Sequence, residues 1–580
     1  MSPDPYDATF VAEALAAPSA VAVRHRVLAQ LLESLIAEGA VRYERDGDTC
    51  IVRGRAVYTA TAREHGFGRV RLDGPVLRDG VPATSPSRFL DEVAAVLDAD
   101  PARLPGFARE LEETVLKDAL ARHARTPGPV DPGAGHDVLE SRAGDGHRYH
   151  PAYKSRLGFD VRDQLAYGPE FAPTVRPLWL AADPAIASVG ASATARVGSD
   201  PAALWAAQLD GGPIIPPPGR VLIPVHPWQW RTVIARAFAP ELASGALQVL
   251  GDDGHDYRPQ ASIRTLACVD APHLPSPKLS LSITNTSTAR GLAPYTVRNA
   301  ARVSDWLAGI VAGDPVLGGR LRVIVLREVL GVAIGDGAGP LERDREGALS
   351  VIWRESLHTH LDPGEHAVGF AGLTARSVEG VPVVDPWIRA HGARDWVRAL
   401  AATTVVPLVH LLVRHGVALE SHAQNMLLVH SGGRPVRVAL KDFHDGVRFS
   451  RALLADPGAC PELESPPAHH GNANSFLETD DPAQVTGFLL DALCFVNLAD
   501  LAHLLEVEYG LAEADFWAEV VGAVRAHADG HPDVADRMAT FDVFAPTLEV
   551  EKLTSRRLHP DTEPRLRRVR NEWAAVGARA

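Results

Sequence analysis

The sequence predicts an α+β protein, in which helices and strands occupy separate stretches of the chain. Apolar residues recur with helical spacing in stretches such as Ala12–Ala37 and Val397–Leu412. Alternating apolar and polar residues, typical of strands, occupy other stretches such as Thr49–Thr61. With 580 residues and 46% hydrophobic composition, the chain can bury several cores. Its length therefore favours about three or four domain-sized units over one compact core.

The region up to residue 140 carries both patterns. A helix is expected over Ala12–Ala37, and strand-like alternation follows at Val41–Tyr43, Thr49–Thr61 and Val70–Leu72. Ser87 is a candidate cap for a helix over Phe89–Leu97, and Phe107–Arg122 has mostly helical spacing. The following stretch, Thr126–Gly135, is rich in proline and glycine and predicts a boundary. Nothing before it suggests a catalytic site.

Composition excludes several classes of function. The net charge of −14 argues against a nucleic-acid partner, because such proteins present a basic face. The four cysteines, Cys50, Cys268, Cys460 and Cys494, are far apart and suggest neither a disulfide framework nor a zinc ribbon. The N-terminal MSPDPYDATF lacks the features of a signal peptide, and no uninterrupted apolar run approaches membrane-spanning length. A soluble cytoplasmic protein without a membrane partner is expected.

Lysine is rare in this chain. Lysine and arginine together number 58, yet the lysines are only Lys117, Lys154, Lys278, Lys441 and Lys552. A lysine that persists against this bias can reflect a need for a compact ammonium beside a phosphate or carboxylate. Chance is the alternative explanation for any one of them.

Chargeable residues concentrate in Ala418–His444, ALESHAQNMLLVHSGGRPVRVALKDFH. Met426–Val429 is apolar, Ser431–Arg434 supplies turn residues and Val436–Leu440 alternates like a second strand, so a β-hairpin is predicted. The pairing of its strands brings Asp442 opposite the segment that precedes Met426.

That segment contains Glu420, His422, Gln424 and Asn425. Two carboxylates with an imidazole and two amides suit Mg²⁺ and the phosphates that it carries, since Mg²⁺ prefers oxygen ligands. The alternative is a merely polar strand end, with Asp442 capping the next turn.

Cationic residues also concentrate in Ser141–Asp160, which contains His147, His150, Lys154 and Arg156 between glycines. Such a loop can hold a triphosphate by charge-assisted hydrogen bonds, or it can be an ordinary solvated loop. The Walker A motif is absent, so a nucleotide is not held in that way.

Two further stretches, PQASIRTL and KLSLSITNTSTARGL, bring together Ser262, Arg264, Thr265, Lys278 and Arg290. The second is rich in strand-forming residues, and its alternation places Lys278 on the face opposite Leu279. A strand here can present Lys278 to a cleft. Between these motifs and the cationic loop, VLIPVHPWQW predicts a buried strand in which His226 is a turn residue and not a ligand.

The succession of motifs resembles the IucA/IucC family of siderophore synthetases, which are independent of nonribosomal peptide synthetases. The motifs are GHRYHPAYKSRLGF, IPVHPWQW, SIRT, KLSLSITNTSTARGL, ESHAQN and KDF, in the family's order, from about Gly146 to Leu558. Several motifs in a fixed order are far more specific than any one alone.

The resemblance implies an ATP-dependent ligase that adenylates a carboxylic acid, often citrate or a derivative. The acyl group then passes to an amine, hydroxylamine or alcohol, with release of AMP and pyrophosphate. The implied fold is a cupped hand with a thumb (1–140), fingers (141–370) and a distantly kinase-like palm (371–580). ATP would lie between fingers and palm, and a homodimer is expected.

The resemblance also implies roles for individual residues. The ATP phosphates would be bound by His150, Lys154, Arg156, Ser262, Arg264, Thr265, Lys278 and Arg290, with His422, Gln424 and Asn425 on the palm side. The catalytic group comprises Lys278, Arg290, His422 and Gln424, with His422 also a candidate base. Arg290, His422, Lys552 and Arg557 would bind the substrate, and Glu420 and Asp442 would bind Mg²⁺.

This chain departs from the family pattern GHPxHP at Arg148, where a proline is usual, and has Lys441 where an arginine is common. Three histidines in HTHLDPGEH, at 358, 360 and 366, could imitate a metal site, but the flanking Pro-Gly favours a surface or cleft loop. His410 and His415 are interpreted as ordinary helix residues. Asn497 matches a family position whose role the sequence does not reveal.

Two other functions stay open at this point. One is a kinase-like phosphotransferase, which would release ADP. The other is a non-enzymatic iron-handling protein or a ferric-siderophore reductase, because C-terminal parts of the family have been likened to such reductases. A reductase would need a cysteine-rich cluster site, which Cys460 and Cys494 alone do not provide.

Overall fold

The fold is taken from a computed structural model, which describes residues 8–125, 131, 133–142, 146–196, 198–286, 288–335, 345–466, 476–560 and 562–577. Helices and mostly antiparallel sheets alternate along the chain, which confirms the predicted mixed class of α and β elements. Much of Thr126–Gly135, the predicted boundary, lies outside the described residues. The division into three units and the cupped-hand shape stay predictions.

The N-terminal part packs helices on a five-stranded antiparallel meander. Its strands are Glu44–Asp46, Thr49–Arg53, Val57–His65, Arg69–Arg78 and Val81–Pro82, and its helices are Ala8–Ala16, Pro18–Ala37, Pro86–Val93 and Leu104–His123. The next helix, His136–Arg142, packs instead against the strand His366–Gly369 of the C-terminal part.

Three boundaries in this part differ from the predictions. The first helix is split at Ala17, because Pro18 begins a second helix and lacks the backbone N–H that would continue the first. Ser85, not Ser87, caps the next helix, accepting a hydrogen bond from the N–H of Arg88. Val41–Tyr43 is no strand, since Val41 makes only an isolated bridge to Leu97.

The middle part contains two antiparallel sheets that share a core. One has the order Val221–Val225, Leu178–Ala182, Leu247–Asp252, and the other Ser276–Leu279, Ser350–Arg354, Glu328–Ile334, Ala187–Ala191. Two ribbons join them, Tyr257–Pro259 with Leu266–Cys268 and Leu281–Asn285 with Thr288–Arg290. The helices are Val161–Tyr167, Pro201–Leu209, Pro227–Gln229, Ala235–Ala237, Ala239–Ser244 and Pro294–Gly313.

The C-terminal part surrounds a four-stranded sheet of order Ile324–Val325, Arg434–Leu440, Met426–Ser431, His366–Gly369. Two ribbons, Val417–Leu419 with Val447–Phe449 and Thr547–Glu551 with Leu566–Arg570, lie outside it. The helices are Phe370–Leu373, Asp385–His391, Ala393–His415, Pro482–Tyr509, Glu513–Asp529, Pro532–Ala535, Met538–Phe541, Ser555–Leu558 and Glu572–Gly577.

Two helices of this part, Ala393–His415 and Pro482–Tyr509, are long and apolar enough to cross a membrane by length and composition alone. Their most apolar windows are 78% and 72% buried inside the fold. Leu412 and Leu493 are fully buried in the same large core, so both helices are core elements.

Candidate active site

The predicted hairpin is confirmed, and it places the polar segment as expected. Met426–Ser431 pairs with Arg434–Leu440 across a turn in which Gly432 and Gly433 have positive φ angles of 55° and 81°. Beyond the last strand pair, the N–H of Lys441 donates to the carbonyl of Asn425 at 3.1 Å. Asp442 therefore lies beside the ESHAQN segment.

Asparagine side chains hold this segment in its irregular shape. Asn425 Nδ2 donates to the carbonyl of Glu420 at 2.9 Å, and Asn497 Nδ2 donates to the carbonyl of Ser421 at 3.2 Å. The N–H of Glu420 donates to the carbonyl of Gly446. Asn497, whose role the sequence does not reveal, thus supports the loop that carries Glu420 and His422.

Asp442 is held by two cations from the middle sheet. Arg354 Nη1 donates to its Oδ1 at 2.8 Å, and Lys278 Nζ lies 3.3 Å from the same oxygen. Burial alone would raise the pKa of Asp442, but Lys278 and Arg354 lower it well below its usual range. Asp442 also has a φ of +64°, a strained conformation typical of functional sites.

Lys278 forms a group of chargeable side chains with the buried His444 and Glu328 and with Asp445, whose side chain is exposed. Its Nζ is 3.4 Å from His444 Nε2, and the other nitrogen of His444 contacts Glu328. Asp445 lies 3.2 Å from His444 Nε2. Burial lowers the pKa of Lys278. Sequence reasoning missed Arg354, Glu328 and Asp445, although the second aspartate of KDFHDG was a visible signal for the last.

The SIRT motif forms a turn next to the Lys278 strand. Ser262 Oγ donates to Thr265 Oγ1 at 2.7 Å, and Arg264 Nη1 donates to the carbonyls of Arg290 and Gly291 at 2.8 and 2.7 Å. Burial, and then the nearby Arg264, lowers the pKa of Arg290 to about 10. Two guanidinium groups held this close are suited to an anion.

Glu420, His422 and His150 line one large cavity of about 630 Å³. The pKa of Glu420 is raised to about 8, because the cavity walls desolvate it and because it faces the negative charge of Asp445. Burial lowers the pKa of His422 to about 4 and that of His150 well below its usual range. Both imidazoles are therefore neutral at pH 7.

Gln424 contributes through its backbone. Its N–H donates to His422 Nδ1 at 3.2 Å, which leaves the imidazole proton on Nε2. Gln424 lines a separate small pocket with Leu139 and Ala261 and is not among the residues that line the large cavity.

The structure does not support Lys154 and Arg156 as phosphate ligands. Lys154 Nζ lies 2.8 Å from Asp118 and 3.0 Å from Glu170, and its side chain is 1% exposed. Arg156 makes a two-pronged ion pair with the same Glu170. Both charges are neutralised inside the protein, so the cationic loop is largely structural.

Other predicted or unusual cations are also paired. Arg557 Nε donates to Glu110, on a helix of the N-terminal part, at 3.0 Å. The positive charge of the neighbouring Arg556 contributes to the lowered pKa of His150. Lys552 adjoins Leu553, which lines the cavity. Arg148, in place of the family's proline, makes two 2.7 Å bonds to Glu33.

His410 and His415 are not ordinary helix residues. Their Nε2 atoms lie 3.0 and 2.8 Å from the same oxygen of Asp314, and His410 Nδ1 lies 2.8 Å from His527. The sequence pattern does not reveal this group, because Asp314 and His527 each lie about a hundred residues from His410 along the chain.

The four cysteines all lie in described parts of the chain, where each is buried and free. They belong to different elements, with Cys50 and Cys268 on separate sheets and Cys494 in a core helix. This arrangement offers no cluster of thiolates for an iron–sulfur centre.

Comparison with known proteins finds similar sequences and structures over nearly the whole chain. The profile of the IucA / IucC family matches residues 136–375, and that of the ferric iron reductase FhuF-like transporter family matches residues 394–566. The citryl-spermidine/3,4-dihydroxybenzoyl-citryl-spermidine:spermidine ligase of Bacillus anthracis is 36% identical over 97% of this chain and 95% of its own.

A second relative is the 2-[(L-alanin-3-ylcarbamoyl)methyl]-3-(2-aminoethylcarbamoyl)-2-hydroxypropanoate synthase of Staphylococcus aureus, 38% identical over 96% of this chain and 93% of its own. The crystal structure of the petrobactin biosynthesis protein AsbB from Bacillus anthracis superposes with a TM-score of 0.88, at 36% identity and over 98% of both chains. The chain therefore belongs to the IucA/IucC family of siderophore synthetases and is an ATP-dependent ligase of siderophore biosynthesis.

Proposed function

We propose that this ligase adenylates citrate or a citrate-like carboxylic acid and transfers the acyl group to an amine of a diamine or polyamine, releasing AMP and pyrophosphate. The single observation that carries the proposal is the convergence of two charged walls. Lys278, Arg264 and Arg290 come from the middle part, and Glu420 and His422 from the C-terminal part. The printed name of the Bacillus relative, a citryl-spermidine ligase, supports this substrate pair.

Adenylation needs fixed positive charge, because an anionic carboxylate attacks a crowded and highly charged α-phosphorus. Lys278 and Arg264 are buried and Arg290 is half-buried, so they act in a medium of low dielectric constant and need little reorganisation. Thr265, which accepts the hydroxyl proton of Ser262, keeps its own hydroxyl proton to donate beside them. The chain's role is thus to position the two reactants and to neutralise the departing pyrophosphate.

His422 acts as a donor in this scheme and not as a base. Its Nδ1 accepts the Gln424 N–H, so a neutral ring carries its proton on Nε2. His422 Nε2 lies 3.9 Å from Glu420 Oε2, and both residues line the large cavity. This nitrogen can therefore donate a hydrogen bond to a phosphate or carboxylate oxygen, but it cannot accept the amine's proton.

Glu420 and Asp442 fit Mg²⁺, with Asp445 as a third carboxylate nearby. The pKa of Glu420 is raised by desolvation and by Asp445, so the surrounding residues, Arg448 among them, stabilise its ionised form only in part. A divalent cation would supply the rest of that stabilisation, and Mg²⁺ prefers such oxygen ligands. Bound there, the ion would neutralise phosphate charge during adenylation.

The cavity fits a cationic amine with an aliphatic chain. Six carboxylates line it against two arginines, together with apolar side chains such as Phe476, Phe488 and Leu548. Asp491 is one of these six carboxylates, and its Oδ1 is buried without a hydrogen-bond partner among the described residues. Desolvation raises the pKa of Asp491 to about 8. An ammonium group of a polyamine would stabilise the ionised form of Asp491 while another amine, uncharged, attacks the acyl adenylate.

The test is to incubate the protein with citrate, ATP, Mg²⁺ and a panel of diamines and polyamines. We expect AMP, pyrophosphate and an amide, detected by chromatography and mass spectrometry. ADP without AMP would instead establish a kinase-like phosphotransferase. The homodimer and the cytoplasmic location are further parts of the proposal, and sedimentation tests the first.

A further inference from the structure

A compact group of two imidazoles and a carboxylate lies outside the large cavity. His136 Nε2 is 3.1 Å from Asp137 Oδ1, and His358 Nε2 is 2.8 Å from Asp137 Oδ2. All three ligand atoms lie within 4.8 Å of one another. His358 belongs to the HTHLDPGEH loop, whereas the other two begin the helix His136–Arg142.

We propose that His136, Asp137 and His358 bind a divalent transition-metal ion, such as Zn²⁺, Fe²⁺ or Co²⁺. Imidazole nitrogens favour these ions over Mg²⁺ and Ca²⁺, which select oxygen ligands. A tetrahedral zinc ion with bonds of about 2.0–2.1 Å places its ligand atoms about 3.3 Å apart. The two imidazole–carboxylate distances, 3.1 and 2.8 Å, are within a few tenths of an ångström of that value, and the ligand atoms all lie within 4.8 Å of one another. The fourth position would be taken by water.

The hydrogen-bonding pattern supports a metal here. Both imidazoles point Nε2 at the same carboxylate, so the three ligand atoms already converge on the space that one ion would occupy. The His358 side chain is 33% exposed, which gives an ion access from solvent.

The group around Asp314 offers a contrast. Arg320, which can only donate, contacts His527 Nδ1 at 3.1 Å and thereby places the His527 proton on Nε2. That proton is donated to His410 Nδ1, and His410 Nε2–H is donated to Asp314 Oδ2. Each imidazole nitrogen in this series of hydrogen bonds already has a partner, and a metal ion bound to His410 would break the series. The Asp314 group is therefore a hydrogen-bonded network.

The proposed metal site is connected to Asp442 by three hydrogen bonds. Gln260 Nε2 donates to Asp137 Oδ1 at 2.9 Å, and Arg354 Nη2 donates to Gln260 Oε1 at 2.7 Å. Arg354 Nη1 then donates to Asp442 Oδ1 at 2.8 Å. An ion that takes Asp137 Oδ1 competes with Gln260 for that oxygen, which loosens the support of Arg354. Occupancy should therefore weaken the proposed Mg²⁺ site.

Binding is tested by titrating chelator-treated protein with Co²⁺ in the absence of ATP and recording the visible absorption of the bound ion. We expect one saturable equivalent per chain. His358→Ala should weaken binding by more than about tenfold, since even loss of an outer partner costs about 10- to 100-fold. His366→Ala is the matched control, because His366 lies in the same loop, is exposed and stacks on His430.

The inference is overturned if the wild type shows no saturable binding, if His358→Ala binds like the wild type, or if His415→Ala alone abolishes binding. A second readout rests on the proposed function. Saturating Zn²⁺ should raise the Mg²⁺ concentration needed for pyrophosphate exchange in the wild type but not in His358→Ala. Equal Mg²⁺ curves with and without Zn²⁺ would refute the connection to Asp442. Because the Co²⁺ titration needs no turnover, its result is independent of the ligase proposal.

Discussion

Two buried lysines on either side of Asp442 should respond to the same substitution in opposite ways. Lys278 and Lys441 are each 5% exposed. Lys278 shares Asp442 with Arg354, which would keep that carboxylate paired if Lys278 were lost. Lys441 instead pairs with Glu140, whose side chain is 4% exposed.

Lys278→Met should therefore leave stability nearly unchanged and remove a charge aimed at the phosphates. Loss of one group that stabilises transition-state charge costs about 10²- to 10³-fold in rate. Lys441→Met should lower stability and leave the exchange rate nearly unchanged. It leaves the buried carboxylate of Glu140 without its cationic partner, which costs about 3–5 kcal/mol. The N–H of Ala261 still donates to Glu140, so the lower end of this range is expected.

Urea unfolding midpoints measure the stability of each variant, and citrate-dependent exchange of pyrophosphate into ATP measures the rate of adenylation. The exchange rate is normalised to folded protein so that the Lys441 variant serves as a fair control. A Lys278→Met protein that keeps more than about a tenth of the wild-type rate would refute the assignment of Lys278 to the phosphates. So would a Lys278→Met protein less stable than Lys441→Met.

Three more substitutions test two residues of the site and one buried histidine outside it. Asp442→Asn should raise the Mg²⁺ concentration for half-maximal exchange by about tenfold or more, and an unchanged Mg²⁺ curve would remove Asp442 from the metal site. Asp491→Asn should raise the KM of a diamine by about tenfold without changing amine-independent exchange; equal effects on both would contradict its role in binding the amine. His226→Gln should reduce the loss of stability on acidification. Burial lowers the pKa of His226 to about 3 from its ordinary 6.5, so its contribution is full above pH 6.5 and is lost as the pH falls toward 3. At pH 5 the loss is about 2 kcal/mol, which urea unfolding at pH 7 and pH 5 should show in the wild type only.

Local features of the fold were predictable from the sequence because their causes are local. The hairpin of residues 426–440 follows from two apolar strands and a Gly-Gly turn, and the strand pairing places Asp442 beside Asn425. His226 is the turn residue that was expected, accepting the N–H of Trp228 at its Nδ1. In each of these cases the deciding partners lie within about twenty residues.

Partners distant in sequence were not predictable. Lys154 and Arg156 looked like phosphate ligands because the sequence shows charges without showing their counter-charges, which Asp118 and Glu170 supply. The contacts of Lys278 and Arg354 with Asp442, and that of Asp137 with His358, join residues that lie 88 to 221 positions apart. Only the family's ordered motifs pointed across such separations, and they carry no information on residues outside the motifs.

The ion pairs around Asp442 bear on attempts to recombine this enzyme with its relatives. The two family profiles meet between residues 375 and 394, which looks like a natural place to join halves of different synthetases. Three pairs cross that junction, Lys278 and Arg354 with Asp442 and Glu140 with Lys441. A chimera joined there takes the two members of each pair from different parents, so it keeps all three pairs only when both parents carry the same residues at these positions.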